Sequence, residues 1–85
     1  MVYQVQIIIK PLEQIANPEG QAIERALAAL SFSTIDSVRV GKVINFNIRA
    51  VDSSEAHELT QAICNKLLVN PVMQYSEISI TAVAD

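Results

Sequence analysis

The sequence predicts an α+β fold of the ferredoxin-like type, β-α-β-β-α-β, with a four-stranded antiparallel sheet and both helices on one face. Three observations predict it. Period-two alternation of apolar residues recurs near the start, in the middle and near the end of the chain, helical periodicity separates those stretches, and 85 residues leave room for one domain, taken as residues 1–85.

The elements follow in order. In Val2 to Lys10, Tyr3, Val5, Ile7 and Ile9 fall on one face and Gln4, Gln6 and Ile8 on the other, which is the pattern of a half-buried strand closed by Pro11. Asn17-Pro18-Glu19-Gly20 opens a helix, with Asn at the N-cap, Pro at the first helical position and Glu near the positive end of the dipole. Ile23, Ala26, Leu27 and Leu30 recur at spacings of three and four and are expected to face the core. After Ser31-Phe32-Ser33, Val38 and Val40 alternate with Ser37 and Arg39, and Ile44, Phe46, Ile48 and Ala50 alternate with Asn45, Asn47 and Arg49. These read as two strands meeting in a hairpin at Gly41-Lys42, with Gly41 supplying an unusual φ or a bulge. Asp52 and Glu55 form a capping box for a second helix, which is expected to bury Ala56, Leu59, Ile63 and Leu67 and to stop near Asn70, before Pro71. A last strand carries Ile78 and Ile80 on one face and Glu77, Ser79 and Thr81 on the other. Two helices cover one sheet face only. Ile8, Val43 and Val83 are candidates for the open face, whose simplest cover is another copy of the chain.

Composition narrows the function. Half the residues (51%) are apolar with few aromatics, so Ile, Val, Leu and Ala build the core, and part of the apolar surface is expected to lie between chains. A net charge of −3 argues against binding nucleic acid by phosphate neutralisation and against an anionic membrane surface. No stretch approaches the roughly 20 apolar residues of a membrane span, and the start lacks a charged region followed by a long apolar one. The single cysteine, Cys64, has no partner for an internal disulfide. The expectation is a soluble, uncleaved, cytoplasmic chain.

Candidate chemistry fares poorly against plainer readings. A phosphate-binding loop needs several glycines feeding a helix, whereas Arg39-Val40-Gly41-Lys42 has one glycine between strands. RNA recognition on this fold uses aromatic platforms, and Tyr3 and Phe46 do not supply them. His57 has no visible orienting partner, and Cys64, about 10 Å further along the same helix, cannot share a metal ion with it. Cys64 flanked by Ile63 and Leu67 reads as a small buried apolar residue. Asp52, Glu55 and Glu58 are explained by helix capping and by the dipole. No catalytic residue and no metal site is assigned, and the chain does not look like an enzyme by itself.

Three stretches at element boundaries remain, where loops present function. Extended to "NPEGQAIERALAAL", "VRVGKVINFNI" and "CNKLLVNPVMQYSEI", they resemble, in order and spacing, the PurS-type small subunit of phosphoribosylformylglycinamidine synthase, over essentially the whole chain. The resemblance implies a non-catalytic subunit of the glutamine-dependent, ATP-consuming ligase of purine biosynthesis. It would join a glutaminase subunit to a large synthetase subunit and support passage of ammonia between them. The resemblance further implies that this chain binds no cofactor, ATP and Mg being used by the synthetase subunit, and that it forms a homodimer or homotetramer. Gln74 stands where the family pattern leads one to expect an acidic residue, Tyr75 comes about one position early, and Phe32-Ser33 replace an expected Gly followed by an aromatic or charged residue. Arg39, Gly41, Lys42, Asn70, Pro71 and Tyr75 are the expected partner-binding residues, with Arg39 and Lys42 exposed on the hairpin for docking. The alternative is a small-ligand-sensing module of the ACT type with the same element order. It would want a glycine turn directly between the first strand and helix, whereas Gly20 lies inside the helix start.

Overall fold

The computed structural model describes residues 1–83. Its central strand, β1 (Val2–Pro11), is flanked by β2 (Lys42–Arg49) and β3 (Gln74–Val83), both antiparallel to it, in the order β2-β1-β3. The register sets Ile7 beside Ile44 on one side and Ile78 on the other, so one face of three strands is aligned in apolar rows. Central position explains the burial: Tyr3, Val5, Ile7 and Ile9 of β1 are all nearly solvent-free, as their alternation predicts.

Helix α2 (Ser53–Ile63) lies across this face against β1 and β3. Its start is the predicted capping box. The Asp52 carboxylate accepts from the Glu55 N–H at 2.8 Å, and the Glu55 carboxylate reaches back to the Val51 N–H at 3.2 Å. The buried line is Ala56, Thr60 and Cys64, one step round from the expected Leu59, Ile63 and Leu67. Small side chains let the helix axis approach the sheet closely. Thr60 enters the core without an orphaned hydroxyl because its Oγ1 donates to the Ala56 carbonyl at 2.8 Å. Ile63 is half-buried, whereas Leu59 and Leu67 are exposed. The helix ends in a π turn, Cys64–Leu68, closed by the Val69 N–H to the Cys64 carbonyl at 2.9 Å. Val69 is already extended, so the stop before Pro71 falls where the sequence places it.

Among the described residues the sheet has three strands and not the four expected, and α1 does not share the sheet face with α2. Helix α1 (Pro18–Ala29) runs outward from the end of the sheet where β1 stops and β2 begins. A ten-residue strand spans about 33 Å and a twelve-residue helix about 18 Å; laid end to end they account for the molecule's long axis of 51 Å. The radius of gyration, 16.8 Å, exceeds the roughly 12 Å of a compact chain of this length. Only Gly20 of α1 is buried. Of the predicted core stripe, Leu27 is half-buried, Ala26 is exposed, and Ile23 and Leu30 are 40% and 67% exposed.

Val38 and Val40 form no strand along β2; they lie alongside the start of α1 instead. Asn17 is responsible. Its Oδ1 accepts from the Gly20 N–H at 2.8 Å as the helix N-cap and from the Val40 N–H at 3.3 Å, while its Nδ2 donates to the Val40 carbonyl at 3.1 Å. Glu24 adds an acceptor for the Val38 N–H at 2.7 Å. The approach is so close that a Cβ on Gly20 would sit 2.2 Å from the Val38 carbonyl oxygen. Gly41 likewise has no room for a side chain, its Cβ position being 2.6 Å from the Ile9 oxygen, and its φ is not positive. A two-residue hairpin demands positive φ in its turn, so the predicted hairpin at Gly41-Lys42 does not form and the chain passes straight into β2. Positive φ occurs instead at Ser31, where the Phe32 N–H returns to the Leu27 carbonyl to close α1, and at Ser37, just before Val38.

Two outcomes follow. Asn17→Ala removes the helix cap and both contacts to Val40, and should lower stability by about 1–3 kcal/mol in urea unfolding, with loss of helical ellipticity at 222 nm. The Cys64 thiol, 3% exposed, should react with a thiol reagent at least about 100-fold more slowly in the native protein than in urea; rapid native labelling would contradict the packing of α2.

Candidate functional site

The three boundary stretches meet at one end of the sheet. Asn17 and Glu19, Val40 to Lys42, and Met73 and Gln74 line a single cleft of about 230 Å³ beneath the base of α1. The topology brings them there: β1 ends at this point, β2 and β3 begin at it, and α1 starts from it. A neighbouring concavity of about 490 Å³ adds Lys10, Arg39 and Tyr75 to Gly41 and Lys42. Four of the six expected partner-binding residues, Arg39, Gly41, Lys42 and Tyr75, therefore share one surface, while Asn70 and Pro71 lie in the turn beyond it and line neither cavity.

Their local roles differ. Arg39 is exposed, yet its guanidinium is committed within the chain: Nη2 donates to the Leu12 and Ile15 carbonyls at 2.7 and 2.8 Å and holds the β1–α1 loop in place. Lys42, at the head of β2, is the exposed cation of the pair whose ammonium makes no hydrogen bond among the described residues. Asn70 organises its own turn. Its Oδ1 accepts from the Val72 N–H at 3.1 Å, its carbonyl accepts from the Met73 and Gln74 N–H groups, and its N–H donates to the Gln74 side chain at 3.0 Å. Gln74, the departure from the expected acidic residue, thus locks the turn. Tyr75, 42% exposed, stands beside Lys10 in the register. Lys10 also pairs with Glu77 at 3.0 Å, and this hydrogen bond with the added attraction of the carboxylate raises the Lys10 pKa from its ordinary 10.5.

The face opposite α2 is uncovered. Its rows run Asn47-Gln4-Thr81 and Asn45-Gln6-Ser79, bordered by Val43-Ile8-Glu77 on one side and Arg49-Val2-Val83 on the other. Ile8, Val43 and Val83 do lie on this face, but at its margins, separated by amides and hydroxyls. The helix side also carries exposed apolar residues, Leu59 among them. His57 lies beside Ile80 of β3, so Leu59, two residues and about 200° further round α2, projects over β2. There Leu59 and half-buried Ile63 overlook Ile44, Phe46 and Ile48, which no helix covers. The sequence carried the signal for this trough in its apolar stripes, but the stripes read as one chain's own core. Among the described residues no group of three or more His, Cys, Asp or Glu side chains is placed to hold a metal ion. The described surface thus combines a polar-rimmed cleft beside the exposed Lys42 with an amide-rich sheet face and exposed apolar residues on the helix side.

Comparison with known proteins agrees with the resemblance carried by these stretches. The family described as PurS, phosphoribosylformylglycinamidine (FGAM) synthase, matches residues 4–82. The PurS subunit of phosphoribosylformylglycinamidine synthase from Methanocaldococcus jannaschii is 34% identical over 79 residues, covering 93% of this chain and 95% of that protein. The Archaeoglobus fulgidus PurS subunit is 39% identical over 74 residues, with 87% and 90% covered. The crystal structure of the M. jannaschii protein, one of the subunits of formylglycinamide ribonucleotide amidotransferase in the purine biosynthetic pathway, superposes with a TM-score of 0.85 over 96% of this chain and 99% of that one. A chain in the structure of PurLQS from Thermotoga maritima gives 0.87 at 27% identity, with 95% and 99% covered. These likenesses do not favour the ligand-sensing alternative. With a matching family over nearly its whole length and a matching fold, the chain belongs to the PurS family of phosphoribosylformylglycinamidine synthase subunits.

Proposed function

We propose that this chain is the non-catalytic small subunit that joins a glutaminase subunit to a large ATP-dependent synthetase subunit in the cytoplasm, so that ammonia released by the first reaches the second. The observation that carries this reading is the fold-wide likeness to a chain of the PurLQS assembly. The chain itself needs no cofactor in this role; ATP and Mg²⁺ serve the synthetase. Among the described residues no helix is long and apolar enough to cross a membrane, and the net charge of −3 gives no basic face for nucleic acid.

The docking surface is the end of the sheet where the three stretches converge. Lys42 supplies a desolvatable charge that orients an acidic patch on a larger subunit. Gly41, Tyr75 and the Asn70-Pro71 turn shape the surface, and Arg39 supports it from within by fixing the β1–α1 loop. The chain also self-associates, as a homodimer or homotetramer, because it leaves apolar residues of α1, α2 and β2 uncovered, which is unusual for a stable monomer of this size.

Glutamine-dependent synthesis of formylglycinamidine ribonucleotide by the two larger subunits, with and without this chain, tests the reading, together with size-exclusion chromatography of the mixture. Activity and a joint complex should require the chain. Lys42→Glu should weaken assembly about tenfold or more while leaving the unfolding midpoint unchanged. It is a cleaner probe than a substitution of Arg39, which would also free the loop from Leu12 to Ile15. Equal turnover with and without the chain would remove the proposal.

A further inference from the structure

The concavity of about 490 Å³ at the head of β2 gathers charge that the rest of the chain lacks. The sequence is acidic, with six Lys and Arg residues against nine Asp and Glu, yet Lys10, Arg39 and Lys42 all line this one space. Register explains the convergence. Ile8 pairs with Val43 and Lys10 with Tyr75, so two aliphatic side chains, an ammonium and a phenol ring share the sheet face away from α2, while Arg39 and Lys42 come in from the segment that leads into β2. Tyr75 is the exposed aromatic ring of this face; Tyr3 and Phe46 belong to the opposite one, in the core. The lining is also fixed in shape. The Ile9 oxygen leaves no room for a side chain at Gly41, and two backbone carbonyls anchor the Arg39 guanidinium. The volume lies within the roughly 300–1,000 Å³ of small-ligand sites, whose usual make-up is an apolar floor with a few polar groups.

The chemistry of the lining selects a ligand. Clustered cations attract an anion, an exposed phenol ring offers a face on which a planar ring can stack, and Ile8, Pro11 and Val43 supply apolar contact beside it. One carboxylate, that of Glu13, also lines the space. It would repel an acidic peptide but accept hydrogen bonds from the hydroxyls of a sugar. We infer that this concavity binds a nucleoside monophosphate, with Lys10 and Lys42 for the phosphate, Glu13 for the ribose hydroxyls and Tyr75 for the base. Without ligand, Glu77 pairs with Lys10 at 3.0 Å, both side chains being about half exposed. An ion pair so open to water is weak, and a phosphate monoester, which carries close to two charges at neutral pH, displaces the carboxylate from the ammonium. Glu77 is therefore the chain's own competitor for the site. Lys42 is shared with the docking surface proposed above, but binding to the isolated chain tests the site alone.

Stacking accepts any base, so adenosine monophosphate serves as the probe. Calorimetric titration of the full chain should show one ligand per chain with a submillimolar Kd, and amide chemical shifts of the isotope-labelled protein should change around Ile8, Lys10, Gly41 to Val43 and Tyr75. Adenosine, which lacks the phosphate, and ribose phosphate, which lacks the base, should each bind about tenfold more weakly or worse. Tyr75→Ala should weaken binding about tenfold and Tyr75→Phe should restore it; Lys42→Ala should also weaken it about tenfold. Glu77→Gln should tighten binding about threefold by releasing Lys10, a gain that no loss of structure would produce. Arg49→Ala, which removes an exposed cation at the other end of the same sheet face, should leave the Kd unchanged. No heat and no shift changes at millimolar nucleotide would overturn the inference. So would ribose phosphate or inorganic phosphate binding as tightly as the nucleotide, which would reduce the site to a patch for an adventitious ion only. Glu77→Gln binding no more tightly than the parent would overturn the competitor role of Glu77.

Discussion

The Asn17 carboxamide holds the shape of this molecule. One side chain caps α1, binds both backbone groups of Val40, and so ties the outgoing helix to the returning chain. An ionised Asp would also cap the helix, but it has no donor for the Val40 carbonyl, and a Ser hydroxyl carries its donor and acceptor on one atom of a shorter side chain. With Gly20 allowing backbone to touch backbone, the clamp ties the start of α1 to Val38 and Val40. Because these residues come just before β2, their direction fixes how the chain enters the sheet.

The remainder of the packing accommodates that direction. With α1 removed from the sheet, α2 alone covers the apolar face, and it does so through Ala56, Thr60 and Cys64, side chains small enough for close approach over β1 and β3. Close packing on that side leaves the β2 side open, with Leu59 and Ile63 at its rim. The surfaces therefore differ in chemistry. The helix side is apolar; the far face is lined by amides and hydroxyls; the end where β1 stops carries Lys42 and the cleft.

Much of the chain was legible in its sequence. The β1 alternation, the Asn17-Pro18 helix start, the Asp52-Glu55 capping box, the helix stop before Pro71 and the two faces of β3 depend on local backbone preferences and on spacing, which a linear sequence records directly. The three boundary stretches could be recognised as a group before they were seen to converge. For Arg39 a sequence shows the charge but not the two carbonyls that occupy it, so its place in the β1–α1 loop is visible only in the fold. The α2 stripe was read one step off, because Leu and Ile outrank Thr and Cys in hydropathy, while the close approach of helix to sheet selects for size.

The set of elements, and which residues of each are apolar, follows from the linear chain, since periodicity and capping are properties of neighbours along it. Whether those apolar faces meet within one chain depends on contacts distant in sequence. That turned on Gly41, a residue equally at home in a hairpin or in a straight, closely packed strand. The contact with Ile9, a residue 32 positions away, selects the straight path. The same pattern of strands and helices that reads as a closed four-stranded sandwich then becomes a three-stranded sheet with an outstretched arm, because a sequence pattern states that a surface must be buried without stating against what.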